Sequence, residues 1–210
     1  MIRIVVADDH PLVSEGLVRL IEREADMRIL GKAESAQDLL ELLERTPCDV
    51  LILDIGLPDR SGLDLLKDLR TLHPKTAVLV LSMYPEERFA VRTFRDGASG
   101  YVTKDTAPQE LVKAIRRVAA GRRYVSDSLA DELARTLGES GEPATHTSLS
   151  NREYQVLLLL AQGSTTAEIA GELRLSENTV QTYRRRILNK LGLYNNVQLA
   201  LYAVRHDLIE

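Results

Sequence analysis

The chain has 210 residues, of which 44% are hydrophobic and 28% charged, and its formal net charge is −4. These values are ordinary for a globular protein of one or two domains. No apolar run approaches the roughly 18 residues of a membrane span. The single cysteine, Cys48, excludes an intrachain disulfide and a cysteine-rich zinc site. From the short apolar runs and the single cysteine together, we expect a cytoplasmic protein without a membrane segment.

The first part of the chain, up to about residue 122, alternates short β-branched runs with helical patterns. This alternation predicts βαβ units and a parallel sheet. The predicted strands lie near 2–7, 27–33, 49–54, 77–81 and 99–103. The predicted helices lie near 11–24, 35–45, 61–72, 86–96 and 108–120. Ser35 and Ser61 stand where helix N-caps are expected, and Gly97 and Gly121 stand where helices should end.

Four of the predicted strands end at residues that phosphoryl chemistry needs. The first ends at Asp8 and Asp9, the third at Asp54, the fourth at Ser82, and the fifth at Lys104. Ligands of open parallel sheets bind beyond the carboxyl ends of the strands, so these side chains are predicted to meet in one crevice. Three carboxylates so close together repel one another unless a cation joins them, and Mg²⁺ is the natural oxygen-binding cation.

Each of these residue types suggests a role toward a phosphoryl group. Asp54 ends the central strand and is the predicted nucleophile, because a carboxylate can form an aspartyl phosphate. Lys104 is predicted to pair with a phosphoryl oxygen, and Ser82 to donate a hydrogen bond to another. Any one of them alone is more often an ordinary turn residue, but their shared placement at strand ends favours the phosphoryl site.

The rest of the chain is predicted to be helical after a linker. A short helix near 126–136 leads into the small, polar stretch GESGEPATHTS, which assigns 123–148 to a linker. Residues 149–210 show only helical periodicity, and Ser150 with Glu153 forms a capping-box pattern at the first of these helices. Two helices joined by a short turn at Ser176 then follow, which is typical of a helix-turn-helix.

The second helix of this pair has one apolar face and one polar face. The residues predicted to pack inward are Val180, Tyr183, Ile187 and Leu191. The opposite face carries the polar side chains Asn178, Gln181, Thr182, Arg185 and Asn189, which could reach base edges. The flanking residues Arg184, Arg186 and Lys190 suit phosphate contacts. A lone basic helix is usually only a solvated surface, but its place after a tight turn favours DNA binding.

Residues 1–122 resemble the receiver domain of two-component response regulators. The motifs that carry the resemblance are the Asp-Asp pair, LDIGLPDRSG, VLSMY and GASGYVTKD. The resemblance implies that Asp54 accepts a phosphoryl group from a sensor histidine kinase. It also implies that Asp9, Asp54 and the carbonyl of Gly56 bind Mg²⁺ directly, that Asp8 helps through water, and that Ser82 and Tyr101 form the switch pair.

The stretch LSNREYQVLLLLAQGSTTAEIAGELRLSENTVQTYRRRILNKLGL resembles the LuxR-type DNA-binding domain. Together the two halves resemble NarL/FixJ-family response regulators, with an ending similar to the GacA/UvrY- and BvgA-type members. The implied fold is α/β plus all-α: a CheY-like doubly wound parallel five-stranded sheet of order 2-1-3-4-5, followed by a four-helix LuxR-type helix-turn-helix domain. The implied domains are 1–122, the linker 123–148, and 149–210.

The resemblance also implies roles within the C-terminal domain. Helix 177–191 is expected to enter the major groove, with Gln181, Thr182 and Arg185 as base readers. The last helix, near 195–206, is expected to make dimer contacts, and three of its apolar residues serve either there or in closing the domain core. These residues are Val197, Leu201 and Val204.

The resulting hypothesis is a DNA-binding response regulator that is not an enzyme beyond its own phosphorylation and dephosphorylation. Phosphorylation would release or dimerise the C-terminal domain on double-stranded promoter half-sites, with RNA polymerase as a further candidate partner. One alternative is an aspartyl-phosphate hydrolase of haloacid-dehalogenase type, although Gly56 stands where its second Asp is wanted. Another is a regulator that binds DNA constitutively. The spacing of the four histidines, at 10, 73, 146 and 206, does not suggest a metal site.

Overall fold

The computed structural model describes residues 1–106, 108–126, 130 and 145–209. The chain divides into two compact units, Met1–Gly138 and Glu139–Glu210. The short helix predicted near 126–136 and most of the predicted linker lie outside the described residues.

The first unit is built on one parallel sheet. Its strands are β1 (Ile2–Ala7), β2 (Met27–Ala33), β3 (Val50–Asp54), β4 (Ala77–Ser82) and β5 (Gly100–Thr103). They follow the order β2-β1-β3-β4-β5, with every neighbouring pair parallel. All five residues of β3 are buried, as expected for a central strand covered on both faces. The predicted fold class and strand order are therefore confirmed.

Four helices connect these strands, and a fifth follows β5. They are α1 (Pro11–Ile21), α2 (Ala36–Arg45), α3 (Gly62–Leu72), α4 (Glu86–Asp96) and α5 (Pro108–Ala119). Helix α1 ends earlier than predicted, because the Met27 amide donates to the carbonyl of Glu24 in the turn that leads into β2. Cys48 is buried just before β3, and this burial raises the pKa of its thiol.

Both predicted serines are N-cap residues, but only one of them caps its helix with its side chain. The Oγ of Ser35 accepts a hydrogen bond from the amide of Asp38 at 3.0 Å, which caps α2. Ser61 precedes α3, but its hydroxyl makes no cap bond. The amide of Asp64 donates instead to the backbone carbonyl of Ser61 at 3.0 Å, so Ser61 holds the predicted N-cap position without a side-chain bond.

The chain that leaves α5 continues along the outer edge of the sheet. The amide of Tyr124 donates to the carbonyl of Ser99 at 2.9 Å, and Tyr124 forms a parallel bridge with Gly100 in β5. A Cβ added at Gly100 would lie 2.8 Å from a methyl group of Leu79, so this close approach requires glycine. The hydroxyl of Ser126 then donates to Oε2 of Glu86, the first residue of α4.

The second unit is helical over its described residues. A short 3₁₀ turn (Thr145–Ser148) precedes α6 (Asn151–Ala161), α7 (Thr166–Leu173), α8 (Glu177–Leu191) and α9 (Asn196–Arg205). Capping boxes start two of these helices: Ser150 with Glu153 starts α6, and Thr165 with Glu168 starts α7. Helix α8 ends at Gly192, whose φ of 67° lies in the left-handed region that favours glycine.

A search of the described ranges for a membrane-crossing helix, one with enough length and apolar character, finds none.

Candidate functional site

The carboxyl edge of the sheet brings the predicted acidic residues together. Asp8 and Asp9 follow β1, and Asp54 ends β3 beside it. One ligand atom from each of these carboxylates, together with Nδ1 of His10, lies within 4.8 Å of the others. Lys104 follows β5 and reaches across β4, so that its Nζ lies 2.8 Å from Asp8 Oδ2 and 2.7 Å from Asp54 Oδ2.

The carboxylate of Asp54 lies in a confined position. Its side chain is only 5% exposed, as is that of Lys104. Oδ1 accepts a hydrogen bond from the amide of Gly56 at 2.9 Å, while Oδ2 faces the ammonium of Lys104. One carboxylate oxygen is thus held by the backbone of the following turn and the other by a cation. The ion pair with Lys104 therefore occupies Asp54 Oδ2.

His10 belongs to this cluster, which the sequence reasoning missed. Its Nδ1 lies 2.8 Å from Asp9 Oδ1, 3.1 Å from Asp8 Oδ1 and 3.8 Å from Asp54 Oδ2. Its side chain is 52% exposed, so the imidazole forms part of the rim between the carboxylates and solvent. The four histidines lie far apart in the sequence, so their mutual spacing gives no sign of this cluster. The available signal was the run Asp8-Asp9-His10 at the end of one strand.

The donor set suits a hard divalent cation. Three nearly buried carboxylates share this edge with one ammonium group, so their mutual repulsion is only partly compensated. Mg²⁺ prefers oxygen ligands and is usually held by one or two carboxylates. The residues present therefore fit a site in which Asp8, Asp9 and Asp54 hold the ion.

Ser82 and Tyr101 both hydrogen-bond to the backbone of Tyr84, a residue that was not predicted from the sequence. Both side chains are completely buried. The Oγ of Ser82 accepts a hydrogen bond from the amide of Tyr84 at 3.1 Å, and the phenol of Tyr101 donates to the carbonyl of Tyr84 at 2.9 Å. Burial raises the pKa of the Tyr101 phenol, so it remains a neutral donor. Tyr84 thus joins the end of β4 to the aromatic side chain on β5.

In the helical unit, α7 and α8 form the predicted helix-turn-helix. Val180 and Ile187 are fully buried on the inward face of α8, as predicted. Tyr183 and Leu191 are only half-buried, and Leu188 is buried instead. The inward face is therefore rotated slightly from the one predicted.

The outer face of α8 carries the candidate DNA contacts. Gln181, Arg185 and Arg186 are exposed, whereas Thr182 and Arg184 are half-buried. An open groove of about 470 Å³ runs along this face. The residues that line the groove include Gln181, Thr182, Arg184, Arg185, Asn189 and Tyr194.

Two of the predicted phosphate contacts are engaged within the unit. Arg184 Nε donates to Asn196 Oδ1 at 2.7 Å, which ties α8 to the start of α9. Lys190 Nζ lies 2.7 Å from Oε2 of Glu153, a carboxylate whose side chain is 4% exposed. Burial favours the neutral form of Glu153, but the bonds from Lys190 and Ser150 outweigh it and hold its pKa below the ordinary value. Lys190 therefore anchors the C-terminal part of α8 to α6.

The last helix leaves an apolar stripe uncovered. Val197, Leu201 and Val204 are 69%, 62% and 51% exposed, whereas Leu199 and Ala203 are fully buried. The alternative in which the first three residues close the domain core was therefore wrong.

Together, the acidic edge of a doubly wound sheet and a helix-turn-helix unit on one chain define a signal receiver joined to a DNA-binding module. Comparison with protein families agrees with this class. Residues 4–116 match the response regulator receiver domain, and residues 147–203 match the luxR family of bacterial regulatory proteins.

Full-length relatives share the same organisation. The chain is 37% identical to the response regulator GacA of Pseudomonas aeruginosa, with 100% of this chain and 99% of GacA aligned. It is 32% identical to the response regulator UvrY of Escherichia coli, with 99% and 96% aligned. Among solved structures it is similar to the response regulator RcsB of Salmonella typhimurium, with a TM-score of 0.64, 26% identity, and coverage of 97% and 100%.

The chain belongs to the NarL/FixJ family of response regulators, with a receiver domain and a LuxR-type DNA-binding domain. These findings do not favour the haloacid-dehalogenase-type hydrolase, since both halves of the chain match the regulator family.

Proposed function

We propose that this response regulator is switched by phosphorylation of Asp54 and, when switched, controls transcription from promoter DNA. The observation that carries the proposal is the convergence of Lys104 and three carboxylates at the end of β3. A sensor histidine kinase is the proposed phosphodonor. Apart from its own phosphorylation and dephosphorylation, the receiver is proposed to catalyse no reaction.

The transfer requires the ion pair between Lys104 and Asp54 Oδ2 to open, while the other bonds of the pocket can stay in place. Asp54 Oδ2 attacks phosphorus, and the bond from phosphorus to the donor imidazole nitrogen breaks as the new oxygen–phosphorus bond forms. The Lys104 ammonium exchanges the Asp54 oxygen for a phosphoryl oxygen and so neutralises part of the arriving charge. The amide of Gly56 keeps its bond to Oδ1 and thereby fixes the direction of the nucleophile. Bound Mg²⁺ would supply further neutralisation of the phosphoryl oxygens.

The contacts of Tyr84 offer a route from the phosphoryl group to the surface. A phosphoryl group adds roughly −1.5 to −2 charge and strong acceptor oxygens. We propose that the Ser82 hydroxyl turns to donate to it and releases the Tyr84 amide. Because Tyr101 is bonded to the carbonyl of Tyr84, its position then changes with that of the residues before α4. Phosphorylation shifts this equilibrium only as far as the two states differ in affinity for the phosphoryl group.

The C-terminal unit is the proposed DNA reader. RcsB has been solved bound to a promoter in the presence of the phosphomimetic BeF₃⁻; that structure shares 27% identity with this chain. By analogy, α8 enters the major groove, Gln181, Thr182 and Arg185 contact base edges, and Arg184 and Arg186 contact phosphates. Lys190 can reach a phosphate only by leaving Glu153.

Dimers are proposed to bind two half-sites related by two-fold symmetry. The apolar stripe of α9 (Val197, Leu201 and Val204) is the proposed contact between the two copies. RNA polymerase is a further proposed partner at the promoter.

Labelling by a small phosphodonor tests the nucleophile. The full chain, incubated with acetyl phosphate and Mg²⁺, is expected to gain one phosphoryl group in its intact mass, and Asp54→Asn to gain none. Asp68→Asn is the matched control, since Asp68 is a partly exposed carboxylate paired with Arg60 outside the pocket. Labelling of Asp54→Asn at the wild-type rate would remove Asp54 as the acceptor.

A further inference from the structure

The loop between β3 and α3 holds the turn that orients Asp54. Ile55 and Leu57 are fully buried, and the amide of Gly62 donates back to the carbonyl of Ile55 at 3.2 Å. A side chain at Gly62 would collide with the backbone of Asp54 and Ile55, so the loop closes tightly on its own start. The loop is thus anchored by buried apolar groups at one end and by Gly62 at the other.

Asp59 at the tip of this loop binds a different helix. Its Oδ1 accepts from the amide of Ala36 at 2.8 Å, and its Oδ2 accepts from the amide of Gln37 at 3.0 Å. These are the first two amides of α2, which have no partner inside the helix. Ser35 caps the next amide, that of Asp38, from within the chain. Helix α2 is therefore capped twice, once locally and once by the phosphoacceptor loop.

The turn between β2 and α2, whose amides Asp59 binds, is also bonded to the Asp8 side of the acidic cluster. The amide of Asp8 donates to the carbonyl of Ala33, the last residue of β2, at 3.1 Å. Only two residues separate Ala33 from the first amide that Asp59 binds. The turn between β2 and α2 therefore contacts the backbone of Asp8 on one side and the loop that follows Asp54 on the other.

We propose that Asp59 is a positioning residue for phosphorylation: by clamping its loop to the start of α2, it sets the spacing between Asp54 and the Asp8-Asp9 pair. The inference rests on the proposed phosphorylation of Asp54 and extends it to a residue outside the pocket. Groups that fix the ligands of a metal site contribute strongly to affinity, because sites of this kind tolerate displacements of only about 0.5 Å. Asp59 acts through the backbone and contacts neither the phosphoryl group nor the cation.

A purely structural role for Asp59, as a cap of α2, makes a different prediction. Ser35→Ala removes the other cap of the same helix but leaves the loop attached. Asp59→Ala removes the charge, both bonds to the amides of α2, and the bond that Oδ1 accepts from the amide of Arg60. Asp59→Asn removes the charge but keeps one acceptor oxygen, so it retains one of the two amide bonds. The three variants separate loss of a helix cap, loss of charge and loss of the clamp.

The test is calorimetric titration of Mg²⁺ into the full chain, with amide hydrogen exchange of residues 55–61 as a second readout. We expect Asp59→Ala to weaken Mg²⁺ binding about tenfold, which is the lower end of the range for partners that orient metal ligands. Asp59→Asn should weaken it less, and Ser35→Ala should leave it within about twofold. Exchange in the loop should accelerate in Asp59→Ala and stay unchanged in Ser35→Ala.

Three results would overturn the clamp: equal weakening by Ser35→Ala and Asp59→Ala, equal weakening by Asp59→Asn and Asp59→Ala, or unchanged binding in Asp59→Ala. Where Asp59→Ala folds poorly, Asp59→Asn is compared with the wild type instead: unchanged Mg²⁺ binding together with unchanged exchange of residues 55–61 would overturn the clamp. A wild-type chain that binds Mg²⁺ but is not labelled at Asp54 would contradict the proposed function, while the binding comparison would still report on the clamp.

Discussion

Lys104 is paired with two of the three carboxylates of the acidic cluster, and its removal should destabilise the fold. Lys104→Met leaves a nearly buried negative cluster without its ammonium partner. We expect the free energy of unfolding in EDTA to fall by about 3–5 kcal/mol, as when one partner of a buried pair is removed. Added Mg²⁺ should restore part of the loss by binding only the folded state.

Thermal unfolding with and without Mg²⁺ measures this effect. Lys67→Met is the control, because Lys67 pairs with Asp96 at 3.6 Å while its own side chain is 61% exposed. An equal loss in both variants would contradict the special role of the buried ammonium.

Glu153 predicts a specific acid sensitivity of the C-terminal unit. Its pKa is held below the ordinary value of 4.5, so it stabilises the fold fully above that pH. This stabilisation by ionised Glu153 is lost as the pH falls from about 4.5 through the lower pKa of the folded state. We expect Glu153→Gln to flatten the fall in unfolding free energy over this range.

Urea unfolding at a series of acidic pH values is the measurement. Glu168→Gln is a matched control, since Glu168 forms the same capping box in α7 but has no lysine partner among the described residues, and hydrogen bonds from Thr165 lower its pKa. A wild-type slope that survives in Glu153→Gln would show that other carboxylates dominate.

At the residue scale, the sequence predicts the placement of side chains at the ends of strands. It does not predict side-chain bonds to partners that are distant in the sequence. Asp54 and Lys104 could be predicted to meet because both follow apolar runs, and parallel strands share one carboxyl edge. Asp59 and Glu153 could not be assigned their partners, which lie 22 and 37 residues away in other helices. Ser61 shows that even a local cap fails when a backbone carbonyl takes the same amide.

At the scale of elements, α8 carries both the proposed base contacts and the residues that bond it to neighbouring helices. We expect Arg185→Ala to weaken specific binding by about 1–3 kcal/mol, because an exposed arginine on the outer face can bind a base edge. Lys190→Ala should change DNA affinity little. It should instead lower the free energy of unfolding by about 1–3 kcal/mol, since buried Glu153 loses a charged partner.

Fluorescence anisotropy on a selected site and on a scrambled duplex, combined with urea unfolding, distinguishes the two variants. Equal affinity of the wild type for both duplexes would remove the basis of the Arg185 prediction. A large loss of affinity in a stable Lys190→Ala variant would restore that lysine as a phosphate contact.

The type and order of the helices and strands follow from sequence periodicity, but the fine rotation of a helix does not. The pattern in α8 placed Tyr183 and Leu191 inward, whereas the structure buries Leu188. The ion pair of Lys190 with Glu153 and the bond of Arg184 to Asn196 accompany that rotation. Both bonds join α8 to other helices, so its own periodicity cannot reveal them.

At the scale of the whole molecule, the apolar stripe on α9 is the proposed dimer interface. We expect Leu201→Glu to prevent dimerisation on half-site DNA, because it places a charge in an apolar contact. Leu72→Glu is a matched control, as both leucines are 62% exposed and Leu72 lies at the end of α3. Sedimentation of the full chain with acetyl phosphate and DNA is the measurement. Equal dimerisation of the two variants would contradict the proposed dimer interface.

The two-unit organisation could be predicted from the sequence because strand alternation gives way to purely helical periodicity within one chain. Contacts between distant elements of the first unit could not be predicted from the sequence. The bond between Ser126 and Glu86 is an example, because neither local sequence pattern indicates its partner. The physical reason is that such bonds form only after both segments have packed on the same sheet.

The segment through Tyr124 also shields an otherwise open border. β5 is the last strand of the sheet, and a bare outer strand offers unpaired amides and carbonyls to neighbouring molecules, which invites aggregation. A receiver fragment cut at Gly121 would uncover that border and lose the tie from Ser126 to Glu86. Chimeras that graft this receiver onto another output module should therefore be joined after Ser126.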